Sequence, residues 1–161
     1  MTQTIQKRTG FNPSPPRDGF GGATPPPADR QWLDAVKFSK PLDSALFDEI
    51  AQKVARRVAM DGSRPKASNK PTQIRRFYDE ICLWAEKIDE DEEKFKKYEP
   101  LIRMINAKAA YALGRNKLVD QDFADLLRHG LRQVDSAEKL ADFKLFMEAF
   151  MGFYKHERPK D

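Results

Sequence analysis

The chain has 161 residues, of which 34% are charged and 40% hydrophobic, which is material for one domain with a modest core and hardly for two. A single cysteine, Cys82, excludes an internal disulfide framework and a cysteine-based zinc cluster, and His129 and His156 are too few for a multi-histidine metal site. The net charge of +4 resides before residue 70, because from there onward eighteen basic residues meet eighteen acidic ones, so any binding of polyanions must come from clustering on one face.

Residues 1–30 hold six prolines and four glycines. Such a segment supplies no hydrophobic period and is expected to be a disordered Pro/Gly-rich tail, a solubilising leader more readily than a nucleic-acid contact. It has no apolar stretch of the kind a secretion signal needs, and the longest apolar runs, Ile81–Ala85 and Ala109–Leu113, are five residues each. A bilayer crossing takes about 20, so no membrane partner is expected and the default setting is cytoplasmic. Residues 31–161 are expected to form a single helical-bundle domain, with Trp32, Leu33 and Val36 as a short amphipathic piece that docks the tail onto the body.

Helical periodicity starts near Asp43, where Leu46, Phe47, Ile50, Val54 and Val58 share one arc at 100° per residue. The spacing ends this helix by Asp61-Gly62, and Ser63 to Asn69 reads as a linker. A second helix opens near Pro71-Thr72, with proline in the first turn, and carries the stripe Ile74, Phe77, Tyr78, Ile81, Trp84, Ala85 and Ile88. The acidic run Asp89 to Glu93 followed by Lys94, Lys96 and Lys97 lacks the spacing and glycine of a calcium loop. It reads as a solvated turn leading into a short helix with acids in front and bases behind. The third long helix is expected from about Pro100 to Gly114, with Gly114 as a left-handed terminator. A fourth, from Asp120 to about Val134, buries Phe123, Leu126, Leu127, Leu131 and Val134. The fifth opens at Asp135 in a capping box with Glu138 and buries Leu140, Phe143, Phe146, Met147, Phe150 and Tyr154. No segment alternates with period two, so the fold class is all-α, a compact bundle of about five helices.

Nothing in the chain points to catalysis. There is no glycine-rich phosphate loop, no H-E-x-x-H and no nucleophile elbow. His129 reads as a partly buried, hydrogen-bonded histidine, Cys82 as an inert thiol, and no metal or cofactor is expected. Two basic clusters carry more information. Lys70, Arg75 and Arg76 stand at the entrance of the second helix, outside its apolar stripe, where unpaired backbone N–H groups suit a phosphate and cations oppose the helix dipole. On the third helix Lys108 and Arg115 lie one heptad apart along one edge of the apolar arc, about 10 Å from each other, with Tyr111 between them. That edge admits two readings. The cations contact the phosphates of a single strand while Tyr111 stacks on a base or ribose, or they snorkel over the bundle edge above a packed tyrosine.

The run Thr72-Gln73-Ile74-Arg75-Arg76-Phe77-Tyr78-Asp79-Glu80-Ile81 resembles the opening motif of the small subunit of type III-A CRISPR effector (Csm) complexes. Lys108-Ala109-Ala110-Tyr111-Ala112-Leu113-Gly114-Arg115 is similar to that family's K-x-x-Y-x-x-G-R element, and Phe143 to Phe150 leading to Tyr154 to its closing helix. The resemblance covers residues 43–155. It implies a non-catalytic helical subunit of a type III-A antiviral effector, present in several copies that stack on one another and on the guide-holding backbone subunits. Together such copies line the channel of the single-stranded target RNA and the guide–target duplex. Carried over by motif, Arg75, Arg76, Lys108 and Arg115 become RNA-contacting candidates, with less support for Lys70. The proline-rich start departs from the shorter members of the family. The alternative from another class is a helical protein–protein adaptor whose basic residues meet acidic partner surfaces without touching RNA. A small hydrolase using His129 is a third, remote option.

Overall fold

The computed structural model describes residues 27–59, 68–115 and 117–158. Among these residues the chain forms two 3-10 turns, Pro27–Leu33 and Ser44–Phe47, and five α-helices. The helices are α1 (Glu49–Ala59), α2 (Pro71–Ile88), α3 (Glu92–Gly114), α4 (Gln121–Gln133) and α5 (Ala137–Glu157). No strand occurs among the described residues, so the all-α expectation holds. Residues 1–26 of the expected tail, and the proposed end of the first helix at Asp61-Gly62, lie outside the described residues.

Helix α5 is the centre of the bundle and packs against α1, α2 and α4, while α3 lies across α2 and α4. The expected apolar positions of α4 and α5 are all fully buried, from Phe123 to Val134 and from Leu140 to Tyr154. Their rings join into a file. Phe77 meets Phe123 edge-on at 5.5 Å, Phe123 stacks on Phe150 at 6.3 Å, and Phe150 on Tyr154 at 5.4 Å. Aromatic pairs in this range add about 0.5–1.5 kcal/mol beyond their burial.

Helix starts are set by side-chain caps. Asp43, Asp91, Asp120 and Ser136 each accept backbone N–H groups of the turn that follows. Four details depart from the sequence expectation. The first helix is preceded by the 3-10 turn Ser44–Phe47, capped by Asp43, and α1 proper begins at Glu49. The acidic run and the third helix are one element, since Asp91 caps a helix that continues through Pro100. Burial of Phe95 and the ring contact of Tyr98 with Trp84 at 5.6 Å hold the turns before the proline in place, outweighing its missing N–H. Gly114 is the last helical residue, not a left-handed terminator: no described glycine has positive φ, and the helix closes through the Arg115 N–H on the Tyr111 carbonyl at 2.8 Å. Finally, α5 is capped by Ser136, whose hydroxyl accepts the Lys139 N–H at 3.1 Å. The expected partner of the Asp135 cap, Glu138, pairs with Lys40 instead, and Asp135 itself pairs with Lys139.

The segment before α1 is a strap over the outer face of α4 and the start of α5. Leu33, Val36 and Phe38 are buried, Trp32 half-buried. Phe38 packs on Phe143 and Phe146 at 5.7 and 5.9 Å. Gln133 clamps the strap's backbone, accepting the Phe38 N–H at 3.0 Å and donating to the Val36 carbonyl at 2.8 Å. The His129 Nε2 lies 2.8 Å from the same carbonyl, so this histidine is half-buried and engaged with the backbone. On the opposite side of α4, Arg103 from α3 donates to the Leu131 and Val134 carbonyls, satisfying acceptors that a helix C-terminus leaves open.

Candidate nucleic-acid interface

Helix α2 starts where it does because Asn69 fixes the chain ahead of it. Asn69 is fully buried with φ 54°, a left-handed conformation that asparagine tolerates better than most residues. Its N–H donates to the Leu118 carbonyl and its Oδ1 accepts the Asp120 N–H, both at 2.9 Å. Lys70 follows as the N-cap, exposed and without a side-chain cap, and Pro71 occupies the first turn. The same bonds put Lys70 beside the loop that leaves α3, so the start of α2 and the end of α3 occupy one end of the bundle.

Helices α2 and α3 run antiparallel along a shared seam, with Glu80 against Lys108 and Trp84 against Tyr98. Arg76, one turn before Glu80, therefore stands on the flank that carries Lys108 and Arg115. Arg75 is displaced by about 100° around the helix and faces elsewhere, pairing with Asp79 at 3.5 Å. Both partners of that pair are more than half exposed, so it holds Arg75 only weakly. Among the described residues Arg76 has no carboxylate within pairing distance.

Lys108 is not free: its Nζ lies 2.6 Å from Glu80 Oε1. Roughly half of its side chain nonetheless stays in solvent, at 52% exposure. Arg115 donates to the Tyr111 hydroxyl at 2.9 Å, with its guanidinium 5.7 Å from the ring centroid. Tyr111 is 63% exposed, so it is not a packed core residue beneath snorkelling cations. Arg115 and Tyr111 form one surface unit, of the kind that presents a charge and a π-face together.

A longer pattern emerges around these residues. Lys97, Leu101, Met104, Lys108, Tyr111 and Arg115 follow one another at spacings of four and three along α3, and all six are exposed. The file is about 27 Å long and contains no acidic residue. Leu101, Met104 and Tyr111, together with Leu83 of α2, are four of the five large hydrophobic side chains that the described residues expose. Leu101 and Met104 are apolar residues of the third helix that the fold leaves in solvent. The buried arc is instead Phe95, Ile102, Ile105, Ala109 and Ala112, and the signal that separates the two is the cation at every turn or two of the outer file. Glu80 was also missed, because no pattern within α2 shows that it faces a lysine of α3.

On the other flank of α2, burial raises the Tyr78 hydroxyl well above the ordinary tyrosine pKa, helped by its hydrogen bond with Cys82. Both groups are half-buried. Among the described residues no three His, Cys, Asp or Glu side chains gather as a metal site, and no helix is long and apolar enough to cross a membrane. A family model described as Csm2 Type III-A matches residues 43–160. No curated protein and no solved structure matches the chain.

Proposed function

The chain belongs to the Csm2 family, a structural small subunit of type III-A CRISPR effector complexes, and from that premise we propose that it contacts RNA directly, lining the target-RNA channel with the outer surface of α2 and α3. The observation that carries this reading is the acid-free file of α3, where Lys97, Lys108 and Arg115 are interspersed with Leu101, Met104 and Tyr111 in solvent. Cations at this pitch suit phosphates, and an exposed tyrosine backed by a guanidinium suits a base or ribose. Arg76 adds a fourth cation from α2, while Lys70 and Arg75 border the same end of the bundle. Nothing in the arrangement reads base edges, so sequence selection is left to guide pairing.

Three or four phosphate contacts imply a salt slope of about −2 to −3 in log–log units. One copy is then a weak, salt-sensitive binder, and several copies in a row hold the strand through effective concentration. Other effector subunits and further copies of the chain are the protein partners in this reading, a role that involves no catalysis. The test is fluorescence anisotropy of target RNA on assembled complexes carrying Lys108→Ala with Arg115→Ala. Affinity is expected to fall and the salt slope to flatten; unchanged affinity and slope with a folded bundle would reject RNA contact and leave the adaptor reading.

A further inference from the structure

We infer that the cleft between the N-terminal strap and the outer face of α4 is a binding site for a phosphate dianion, either free phosphate or a phosphomonoester. The site lies on another side of α4 from its contact with α3 and does not depend on the RNA reading. It is lined by Arg30, Leu33 and Asp34 of the strap and by Asp125, Arg128, His129 and Arg132 of α4, around a space of about 90 Å³. That is room for several waters, and so for a four-oxygen anion.

The α4 residues fall at spacings of three and four, so one face of the helix presents them all. This face points away from the core face of Phe123, Leu127 and Leu131, and the strap closes over it. Three guanidiniums meet two carboxylates in the cleft, which leaves positive charge uncompensated. One carboxylate, Asp125, is 5% exposed and already well served. Arg30 lies 3.2 Å from it, Arg128 3.5 Å, and the Gln121 amide donates to it at 2.9 Å. Buried carboxylates need such company, so Asp125 accounts for two of the arginines and leaves Arg132 over.

Two observations point beyond that internal pairing. Arg132 has no carboxylate within pairing distance among the described residues, although it lines the same space. The Arg30 Nε is buried with no hydrogen-bond acceptor, its approach to Asp125 being a charge contact and not an aligned bond. A cleft with an unused guanidinium fork and an unsatisfied buried donor matches a tetrahedral oxyanion, which accepts from several N–H groups at once. Arg128 and Arg132 sit one turn apart on α4, about 6 Å along its axis, close enough to converge on a single anion. A half-closed cleft also favours an anion that ends there over a phosphodiester that must enter and leave.

The experiment is a titration of the full-length protein with inorganic phosphate at constant ionic strength, read by phosphorus NMR linewidth and by thermal unfolding midpoint. Saturable broadening is expected together with a rise in midpoint. Arg132→Gln, an exposed change that should leave the fold intact, is expected to weaken binding by about tenfold or more. Lys108→Ala with Arg115→Ala is expected to leave it unaltered, which separates this site from the α3 file. A second arm asks whether 5′-phosphorylated and 5′-hydroxyl oligoribonucleotides displace phosphate. Displacement by the phosphorylated form alone, or by neither, fits the site, the first assigning it to strand ends and the second to free phosphate. Equal displacement by both, binding that survives Arg132→Gln, or no saturation would overturn the inference.

Discussion

The Tyr154 hydroxyl donates a 2.5 Å hydrogen bond to the backbone carbonyl of Asn69, tying the end of α5 to the residue that launches α2. Arg158 reaches the same carbonyl and that of Ser68. Asn69 in turn holds Leu118 and Asp120, so the end of α5, the start of α2 and the loop before α4 meet at one buried residue. Asn69→Ala combines a left-handed φ without asparagine's tolerance and a lost acceptor for the Asp120 N–H. The expected cost is about 2–4 kcal/mol, read as a lower urea midpoint. Asn69→Gly relieves the backbone part only and should fall between the two. Because Lys70 is the next residue, loss of this junction should also weaken RNA binding before the bundle unfolds.

Gly130 lets α4 approach α5. A methyl group at this position would sit 2.3 Å from a ring carbon of Phe143, and that ring is fully buried with Phe38 packed against it at 5.7 Å. The ring cannot swing aside without moving the strap. Gly130→Ala is therefore expected to destabilise by about 1–3 kcal/mol despite alanine's better helix propensity. The comparison that checks it is Gly152→Ala on α5, where nothing lies within 4 Å of the added carbon. That change should stabilise slightly.

The strap precedes the family-matched residues 43–160, yet its apolar side chains belong to the core. Phe38→Ala should cost about 3–5 kcal/mol, as large as a change within α5. A chain starting at residue 43 leaves Phe143 and Phe146 uncovered and the polar groups of Gln133 without their backbone partners. Such a truncation is expected to bind hydrophobic dyes and lose its cooperative thermal transition, and a sharp, unchanged transition would contradict the strap's role.

Two sets of ion pairs bound the chain's stability on the pH scale. Arg56 hydrogen-bonds the Glu157 carboxylate at 3.2 and 3.4 Å and holds its pKa below the ordinary glutamate value, burial opposing. The folded state then binds this proton less readily than the unfolded one. The stabilisation is complete above the unfolded pKa of about 4.3 and is lost as pH falls through the lower folded value. Lys40 works in the other direction. Hydrogen bonds to Asp142 first and Glu138 second raise its pKa, so its contribution is complete below about pH 10.4 and is lost as pH rises through the folded value. Glu157→Gln should flatten the acid limb of a stability–pH curve and Lys40→Met the alkaline limb.

Local signals made most of the bundle readable. Pro71 at a first turn and Asp120 ahead of an apolar file mark their helices because each acts within its own turn. The rings of α4 and α5 recur at helical spacing for the same reason. What the sequence concealed depends on contacts distant along the chain. Pro100 resembles a helix start unless Phe95 and Tyr98 are known to be held against the body. Ser136 and Asp135 are both good caps, and the choice falls to Ser136 while Glu138 turns to Lys40. Asn69 passes for linker until Tyr154, Leu118 and Asp120 converge on it. In the candidate site the exposure of Arg76, Lys108 and Arg115 followed from the wheel, whereas the pairing of Lys108 with Glu80 needed the register of α2 against α3.

That pairing sets up the most direct test of the α3 file. In the RNA-contact reading, Glu80 competes with a phosphate for Lys108, which must exchange a 2.6 Å carboxylate partner for the strand. Glu80→Gln removes the competitor while keeping shape and burial. Target-RNA affinity in assembled complexes is then expected to tighten several-fold, and the salt slope to steepen by up to about 0.7 for the one additional phosphate engaged on a single strand. Lys108→Ala in the Glu80→Gln background should erase the gain. Tightening without a steeper slope would mean that Glu80 acts by long-range repulsion. No tightening at all would mean that Lys108 serves the α2–α3 seam and that Arg76 and Arg115 carry the RNA contacts without it.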